Sequence, residues 1–229
     1  PAMLSVSEVV NALFGIGEVD KMTDNIVHNL RLPMALMALV VGATLAVGGA
    51  EIQTLLNNPM ASPYTLGLAA AAGFGASIVI GSLNKATWQS LIIIIVVTTI
   101  CVALLSKELW KLTALRLGED RAASLGINLQ VLRIKVLVLV AMMTATAISF
   151  VGVIGFIGLV APHVARMLLG EDQRFFLPGA MLVGAAFLSL SSVLSKVIIP
   201  GALFPVGIVT SFIGVPFFFW IILNNKRGQ

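Results

Sequence analysis

Residues 33–56 read PMALMALVVGATLAVGGAEIQTLL, and Glu51 is the only ionisable residue among these 24. A bilayer core about 30 Å thick takes about 20 apolar residues in a helix, so this run is long enough to cross a membrane. It is also rich in small residues, which let helices approach each other closely inside lipid. The small residues are Gly42, Ala46, Gly48, Gly49 and Ala50. The stretch therefore predicts a membrane span packed against other helices.

The rest of the chain has the same apolar character. Of its 229 residues, 59% are hydrophobic and 10% are charged, and the mean hydropathy is +1.05. Soluble domains carry about 25% charged residues, so the composition excludes a soluble enzyme, a nucleic-acid-binding protein and a disordered chain. We assign the net charge of +4 to cytoplasmic loops. Cys101, the only cysteine, lies in an apolar run and can form no disulfide within one chain.

The length of the chain allows about six to eight membrane spans. Apolar segments cover residues 33–56, 63–80, 88–105, 136–151, 153–169, 178–195 and 205–223. Residues 1–30 are more polar, and Ser5 with Glu8 matches the capping box at the start of an amphipathic helix. We expect this helix to lie on the external surface of the membrane.

The basic residues favour one orientation of the segments. If the segments alternate and residues 106–135 are cytoplasmic, ten Lys or Arg residues lie inside and four lie outside. This distribution follows the positive-inside rule. The C-terminus is then cytoplasmic. The four outside residues are Lys21, Arg31, Lys85 and Lys196.

Three features within the apolar segments have structural and functional interpretations. Gly152, Gly155 and Gly158 have wholly apolar neighbours, which favours close helix packing or a tight break between two short helices over a nucleotide site. Glu51 is expected near the cytoplasmic interface, with either an interfacial or a pathway role. His163 has no second histidine and no acidic residue beside it, so no metal site is expected.

Two further regions could bind partners. The charged stretch 106–135 predicts two short helices in the largest cytoplasmic loop, the only inside surface large enough for a partner. Arg31 precedes the first segment and Lys196 follows the sixth, so both are expected on the external face. Snorkelling to the interface and docking of an acidic partner both explain these two residues.

Four blocks resemble the FecCD family, the permease subunits of ABC importers for ferric siderophores, haem and cobalamin. The blocks occur in order along nearly the whole chain. They are RLP at 31–33 with NPMASP at 58–63, LGE at 117–119 through LG at 125–126, GFIGLVAPHVAR at 155–166, and PVGIVT at 205–210 with GVPFF at 214–218.

The resemblance implies an all-α transmembrane helix bundle of the ten-span type II ABC importer fold, with residues 1–229 in a single permease domain. It implies a multi-pass protein of the bacterial inner (cytoplasmic) membrane that is not an enzyme and holds no cofactor, because ATP and Mg are bound by a partner ATPase dimer. The other expected partners are an extracytoplasmic substrate-binding protein, a second permease subunit (identical or homologous) and the lipid bilayer.

The resemblance also implies roles for particular positions. Arg31 and Lys196 match basic positions that dock the binding protein, although the arginine often found three residues after the first is Met34 here. Asn58 and Met60 match a cytoplasmic gate. The loop similar to the coupling helices, which sit in a groove of the ATPase, contains Leu117, Gly118, Glu119, Ala122, Leu125 and Gly126.

The chain departs from the family in its number of segments. Family members usually have ten spans, about three more than the segments found here. One helix is expected before residue 1, and two are expected between Ile80 and Gly81. We therefore predict that residues are absent from this sequence at the junction of 80 and 81.

The expected function is the inward movement of a ferric siderophore or similar large metal chelate by alternating access, driven by the partner ATPase. Haem, cobalamin, a metal ion and an oxyanion are alternative cargoes. An ion-coupled secondary transporter is a second class, but it would need buried ionisable pairs or broken helices at mid-membrane. A structural scaffold is a third class, and it would not need the charged loop.

Overall fold

The computed structural model describes residues 4–66, 86–197 and 205–225. Every regular element in these ranges is a helix. In chain order, the elements are α1 (Val6–Phe14), α2 (Lys21–Asn25), a π-helix (Ile26–Arg31), α3 (Leu32–Leu55), a 3-10 helix (Pro63–Leu66), α4 (Trp88–Ser106), α5 (Leu109–Arg116), α6 (Glu119–Ser124), α7 (Leu129–Val151), α8 (Ile157–Leu169), α9 (Gln173–Val197) and α10 (Val206–Asn225).

Helix α1 has the capping box that the sequence predicts. The Glu8 backbone N–H donates to the Ser5 hydroxyl at 3.3 Å, and the Ser5 backbone N–H donates to the Glu8 carboxylate at 2.6 Å. These bonds satisfy backbone donors that the first helical turn leaves unpaired. The helix ends at Gly15, whose φ of 64° is the left-handed conformation that glycine adopts without strain. Its predicted location on the membrane surface stays a prediction.

The first span begins earlier than its apolar run. Helix α2, the π-helix and α3 form one continuous helix of 35 residues, Lys21–Leu55. The wider π-turn ends two residues before Pro33, and the Leu32 backbone N–H bonds to the Val27 carbonyl. Proline lacks an N–H and crowds the preceding turn of a regular α-helix. The π-turn accommodates Pro33 and lets the helix continue through it.

Helix α3 lies at the centre of the bundle, and every residue from 44 to 55 is buried. It runs antiparallel to α9, and the two backbones meet at Gly42 and Gly184. A Cβ added to Gly42 would lie 2.2 Å from the Gly184 carbonyl oxygen. Helix α8 approaches the same helix at a second glycine pair, where a Cβ on Gly49 would lie 1.9 Å from the Gly158 carbonyl oxygen. The predicted close packing through small residues is confirmed.

Four helices within the described residues are long and apolar enough to cross a membrane. They are Lys21–Leu55, Trp88–Ser106, Leu129–Val151 and Gln173–Val197. This result confirms the all-α membrane bundle. Of the predicted segment 63–80, residues 67–80 lie outside the described residues. The total number of spans therefore stays a prediction.

Three predicted segments have different bounds in the structure. Helix α7 starts at Leu129 instead of 136, because the Asn128 side chain caps it by accepting from the Val131 N–H at 3.1 Å. Helix α9 starts at Gln173 instead of 178 and contains Pro178. Segment 153–169 is helical only over Ile157–Leu169. Its 13 residues span about 20 Å, so this helix is too short to cross the bilayer core by itself.

A buried ion pair joins α4 and α5 to α7. The Glu108 carboxylate, between α4 and α5, accepts from Lys111 at 2.7 Å and also pairs with Lys135 of α7. The hydrogen bond from Lys111, and then that from Lys135, holds the pKa of Glu108 below its ordinary value of 4.5. The carboxylate is therefore ionised at neutral pH, and its two ion pairs connect the start of α5 to α7.

We expect Gly42→Ala to destabilise the bundle, because the new methyl group would overlap the Gly184 carbonyl and force α3 and α9 apart. The expected loss is about 1–3 kcal/mol, measured as a lower thermal unfolding midpoint of the purified protein in detergent. Gly155→Ala is the matched control, because nothing lies within 4 Å of its added Cβ. Equal midpoints for the two variants would contradict the close contact.

We expect Glu108→Gln to lower the free energy of unfolding at pH 7 by about 1–3 kcal/mol, since it leaves two lysines without their buried partner. The measurement is the thermal unfolding midpoint of the purified protein. A carboxyl whose pKa is lowered on folding stabilises above its unfolded pKa and loses this effect as the pH falls through the folded pKa. The difference between the parent and the variant should therefore be complete above pH 4.5 and should shrink progressively as the pH falls below that value. Glu119→Gln, in an exposed pair, is the control; a difference that persists at low pH would rule out the ion pair as the cause.

Candidate functional site

The two predicted docking residues lie at the same end of the α3–α9 pair. The antiparallel contact of Gly42 with Gly184 places Arg31, before α3, beside Lys196, in the last turn of α9. The Arg31 charge is close enough to act on the Lys196 ammonium group. Two like charges held together repel each other, and a carboxylate placed between them would relieve that repulsion. The structure therefore brings these residues together as a basic surface.

The predicted coupling loop folds as a hairpin of two short helices, α5 and α6, and we call residues 109–126 the coupling hairpin. Gly118, between the helices, has a φ of 118°, and Gly126, after α6, has a φ of 77°. Residues with a side chain rarely adopt these angles, so the two turns need glycine. Ala122 is fully buried and anchors α6 to the bundle.

Two leucines project from the coupling hairpin into solvent. Leu117 is 61% exposed and Leu125 is 60% exposed, and they flank α6 at its two ends. Glu119 pairs with Arg133 of α7. Of the six predicted coupling residues, Leu117 and Leu125 thus offer an apolar contact surface, while Ala122 holds the helix from inside and cannot touch a partner.

The predicted gate lies in the loop after α3, residues 56–62, which we call the gate loop. The Asn58 side chain accepts a hydrogen bond from the Met60 N–H at 2.9 Å, and the Ala61 N–H donates to the Asn58 carbonyl at 3.1 Å. Asn58 therefore holds the turn, and Met60 is left partly exposed. Met60 and Pro59 line a pocket together with Phe156, Leu159, Val160, His163 and Phe217. The His163 ring meets the Phe217 ring edge-on at a centroid distance of 5.8 Å.

A break in the helix borders this pocket. Helix α7 ends at Val151 with Gly152 as its C-cap, and α8 starts only after Phe156, whose φ of 67° is unusual for a non-glycine residue. The Ile154 carbonyl in the break accepts from the Tyr64 hydroxyl at 2.6 Å. In the first turn of α8, Pro162 has no N–H for the Gly158 carbonyl, which instead accepts from the Gln53 amide at 3.2 Å. The predicted tight break at the glycine repeat is confirmed.

Glu51 does not have the environment that we expected. The sequence placed it near interfacial water, but the side chain is fully buried and neither carboxylate oxygen has a hydrogen-bond partner among the described residues. The expected contact with interfacial water is wrong, because α3 is covered by neighbouring helices over its whole inner half. Although Glu51 lies only four residues before the end of α3, its side chain does not reach the surface. The alternative pathway role of Glu51 stays a prediction.

Sequence reasoning missed a set of contacts between polar side chains at the end of α3 near the gate. Gln173 of α9 donates to the Thr54 hydroxyl at 2.7 Å, and Arg116, Arg166 and Glu171 form ion pairs close by. Arg166 lies in the GFIGLVAPHVAR block, which was the one available signal. Within residues 4–66, 86–197 and 205–225, no cluster of three or more His, Cys, Asp or Glu side chains could hold a metal ion.

Several known proteins are similar to this chain in sequence, and one solved structure is similar to it in fold. The chain is 30% identical to the Fe(3+) dicitrate transport system permease protein FecC of Escherichia coli (strain K12), over 93% of this chain and 86% of the relative. It is 29% identical to the vitamin B12 import system permease protein BtuC of Salmonella arizonae, over 88% of this chain and 84% of the relative. A solved inward-facing conformation of a metal-chelate type ABC transporter matches with a TM-score of 0.84, 24% identity and 96% of each chain covered.

The family comparison covers nearly the whole chain. The model of the FecCD transport family matches residues 1–81 and 78–224, two sections that meet where we predict absent residues. The relatives named above are permease proteins of transport systems, so the chain is similar to transport subunits. The resemblance carried by the four sequence blocks is confirmed, and the chain belongs to the FecCD transport family.

Proposed function

We propose that this chain is the permease subunit of an ATP-driven importer that moves a ferric siderophore or a similar large metal chelate inward by alternating access. The observation that carries the proposal is the arrangement along α3. The basic surface of Arg31 and Lys196 lies at one end of this helix, and the gate loop and the coupling hairpin meet at the other. A membrane subunit between two partners needs contact sites at opposite ends of its spans.

The basic surface fits an acidic binding protein outside the membrane. Complementary charges speed the encounter of two proteins and fix their orientation. The docked binding protein would deliver its cargo to a pathway between this chain and a second permease subunit, either identical or homologous.

The coupling hairpin fits the partner ATPase dimer on the cytoplasmic side. Leu117 and Leu125 would enter an apolar groove, while buried Ala122 keeps α6 fixed to the bundle. ATP and Mg bind to the ATPase, whose closure moves the hairpin and opens or closes the gate at Asn58 and Met60. The proposal includes a location in the bacterial inner membrane, with the C-terminus in the cytoplasm.

The named relatives support a large chelate as the cargo. One is a permease for ferric dicitrate and another for vitamin B12, and both cargoes hold a metal inside an organic ligand. Haem and cobalamin are therefore the alternative cargoes. The proposal is tested by ATP-dependent uptake into proteoliposomes that contain the full complex, with ferric dicitrate, a ferric hydroxamate siderophore, hemin and cyanocobalamin as a panel. Uptake of none of the four would overturn it.

We expect Arg31→Glu combined with Lys196→Glu to weaken docking of the binding protein by about tenfold or more, because attraction becomes repulsion. The measurement is the dissociation constant of the binding protein and the detergent-solubilised complex, at low and high salt. Arg174→Glu, an exposed charge reversal at the opposite end, is the control. An unchanged affinity in the double variant would remove Arg31 and Lys196 from the docking surface.

We expect Leu117→Asp and Leu125→Asp each to reduce assembly with the ATPase by about tenfold, since burial of one leucine contributes about 1.5–3 kcal/mol. The measurement is co-purification of the ATPase and its rate of hydrolysis. Ser106→Asp adds the same charge at an exposed position outside the hairpin and should assemble normally. Normal assembly of both leucine variants would show that the hairpin does not contact the ATPase.

A further inference from the structure

A chain of polar contacts connects the coupling hairpin to the gate loop. We call it the inner network, and its members are Gln53, Asn57, Arg116, Arg166 and Glu171. These residues come from α3, the gate loop, α5, α8 and the loop between α8 and α9. One set of contacts therefore connects the gate loop and the end of α5 to α3 and α8.

Arg116 occupies the position between the two proposed moving parts. It is the last residue of α5, directly before Leu117, and its side chain is only 10% exposed. Its Nη1 group donates to the Asn57 side-chain oxygen at 3.4 Å, and its Nη2 group pairs with the Glu171 carboxylate. A guanidinium group can hold two partners at once because its donors are fixed in a planar fork.

The other half of the inner network connects Glu171 to the bundle. The Glu171 carboxylate lies 3.5 Å from Nε of Arg166, and Nη2 of Arg166 donates to the Gln53 side chain at 3.3 Å. Arg166 also stacks over the Phe176 ring at 5.0 Å. Glu171 is thus ion-paired with Arg166 of the bundle as well as with Arg116 of the hairpin.

Asn57 connects Arg116 to the gate loop. It directly precedes Asn58 and has a φ of 45°, a left-handed conformation in which asparagine is tolerated and glycine is unstrained. A side chain held at this position determines the direction in which the gate loop leaves α3. If the hairpin shifts, Arg116 either carries Asn57 with it or releases it, and both outcomes move the gate loop.

We propose that Arg116 is a positioning residue that links the coupling hairpin to the gate loop through its simultaneous contacts with Asn57 and Glu171. The inference rests on the proposed function, because it concerns how motion of the hairpin reaches the gate. It adds a connection to that function, and it assigns no contact between Arg116 and the cargo or the ATPase.

Two substitutions separate positioning from simple stabilisation. Arg116→Lys keeps the positive charge beside Glu171 but lacks the second arm of the fork that reaches Asn57. Asn57→Gly removes the accepting side chain and keeps the left-handed backbone accessible. Both variants retain the Glu171–Arg166 contacts, so we expect them to fold and assemble with the ATPase.

The experiment compares import, ATP hydrolysis and gate movement in the full complex. We expect both variants to import the transported member of the panel about tenfold more slowly, a typical size for coupling between sites. ATP hydrolysis should stay within about twofold of the parent, because the proposal gives neither residue a contact with the ATPase. Gate movement is followed by labelling of Met60→Cys with a thiol reagent, in a chain whose buried Cys101 is replaced by alanine.

Nucleotide should change the labelling rate of the Met60→Cys thiol in the parent, and this change should be lost in Arg116→Lys and Asn57→Gly. Arg174→Gln is the matched control, because Arg174 is an exposed arginine that pairs only locally with Asp172 at 2.7 Å among its described contacts. It should behave like the parent in all three measurements.

Two results would overturn the proposal. The first is normal import and normal nucleotide-dependent labelling in both variants. The second is loss of assembly and ATP hydrolysis together with import, because this pattern indicates a purely stabilising role. Failure of the unsubstituted complex to import any member of the panel would instead refute the proposed function, so the two failures are distinguishable.

Discussion

The contact between the backbones of α3 and its two neighbours is the constraint on which the rest of the structure depends. Gly42 meets Gly184 of α9, and Gly49 meets Gly158 of α8, at distances that leave no space for a Cβ. Helices in lipid gain little from burying apolar surface, so close van der Waals contact must hold them together. The glycines allow this contact, and they determine how far each helix is displaced along the next.

The displacement of α9 along α3 determines which side chains meet at the two ends of this helix pair. With Gly42 against Gly184, the antiparallel pair places Arg31 beside Lys196 at one end. At the other end, it places Thr54 within hydrogen-bonding distance of Gln173. A shift of one helical turn, about 5.4 Å, would separate both pairs. One packing contact near the middle of the bundle therefore positions the proposed docking surface and the side chains around the proposed gate.

Two polar side chains pair backbone carbonyls in the break between α7 and α8 and in the first turn of α8. An unpaired backbone carbonyl is costly where water is absent, and here Tyr64 and Gln53 supply the missing donors. Gln53 also accepts from Arg166, so the side chain that pairs the Gly158 carbonyl belongs to the inner network as well. This shared residue links the irregular backbone beside the pocket to the ion pairs that reach the coupling hairpin.

The sequence by itself determined the membrane-bundle class, the capping box at Ser5 and the family blocks, because these features depend on composition and on neighbours within a few residues. Only the tertiary structure decided that Glu51 is buried, that α8 is too short to cross the bilayer core, that the π-turn precedes Pro33, and that Arg116 reaches Asn57. These outcomes depend on which helix faces which, and residues 59 positions apart carry no local pattern that reports their contact. The physical reason is that the glycine contacts set the helix displacement, and a glycine that touches another backbone has the same sequence signature as one that does not.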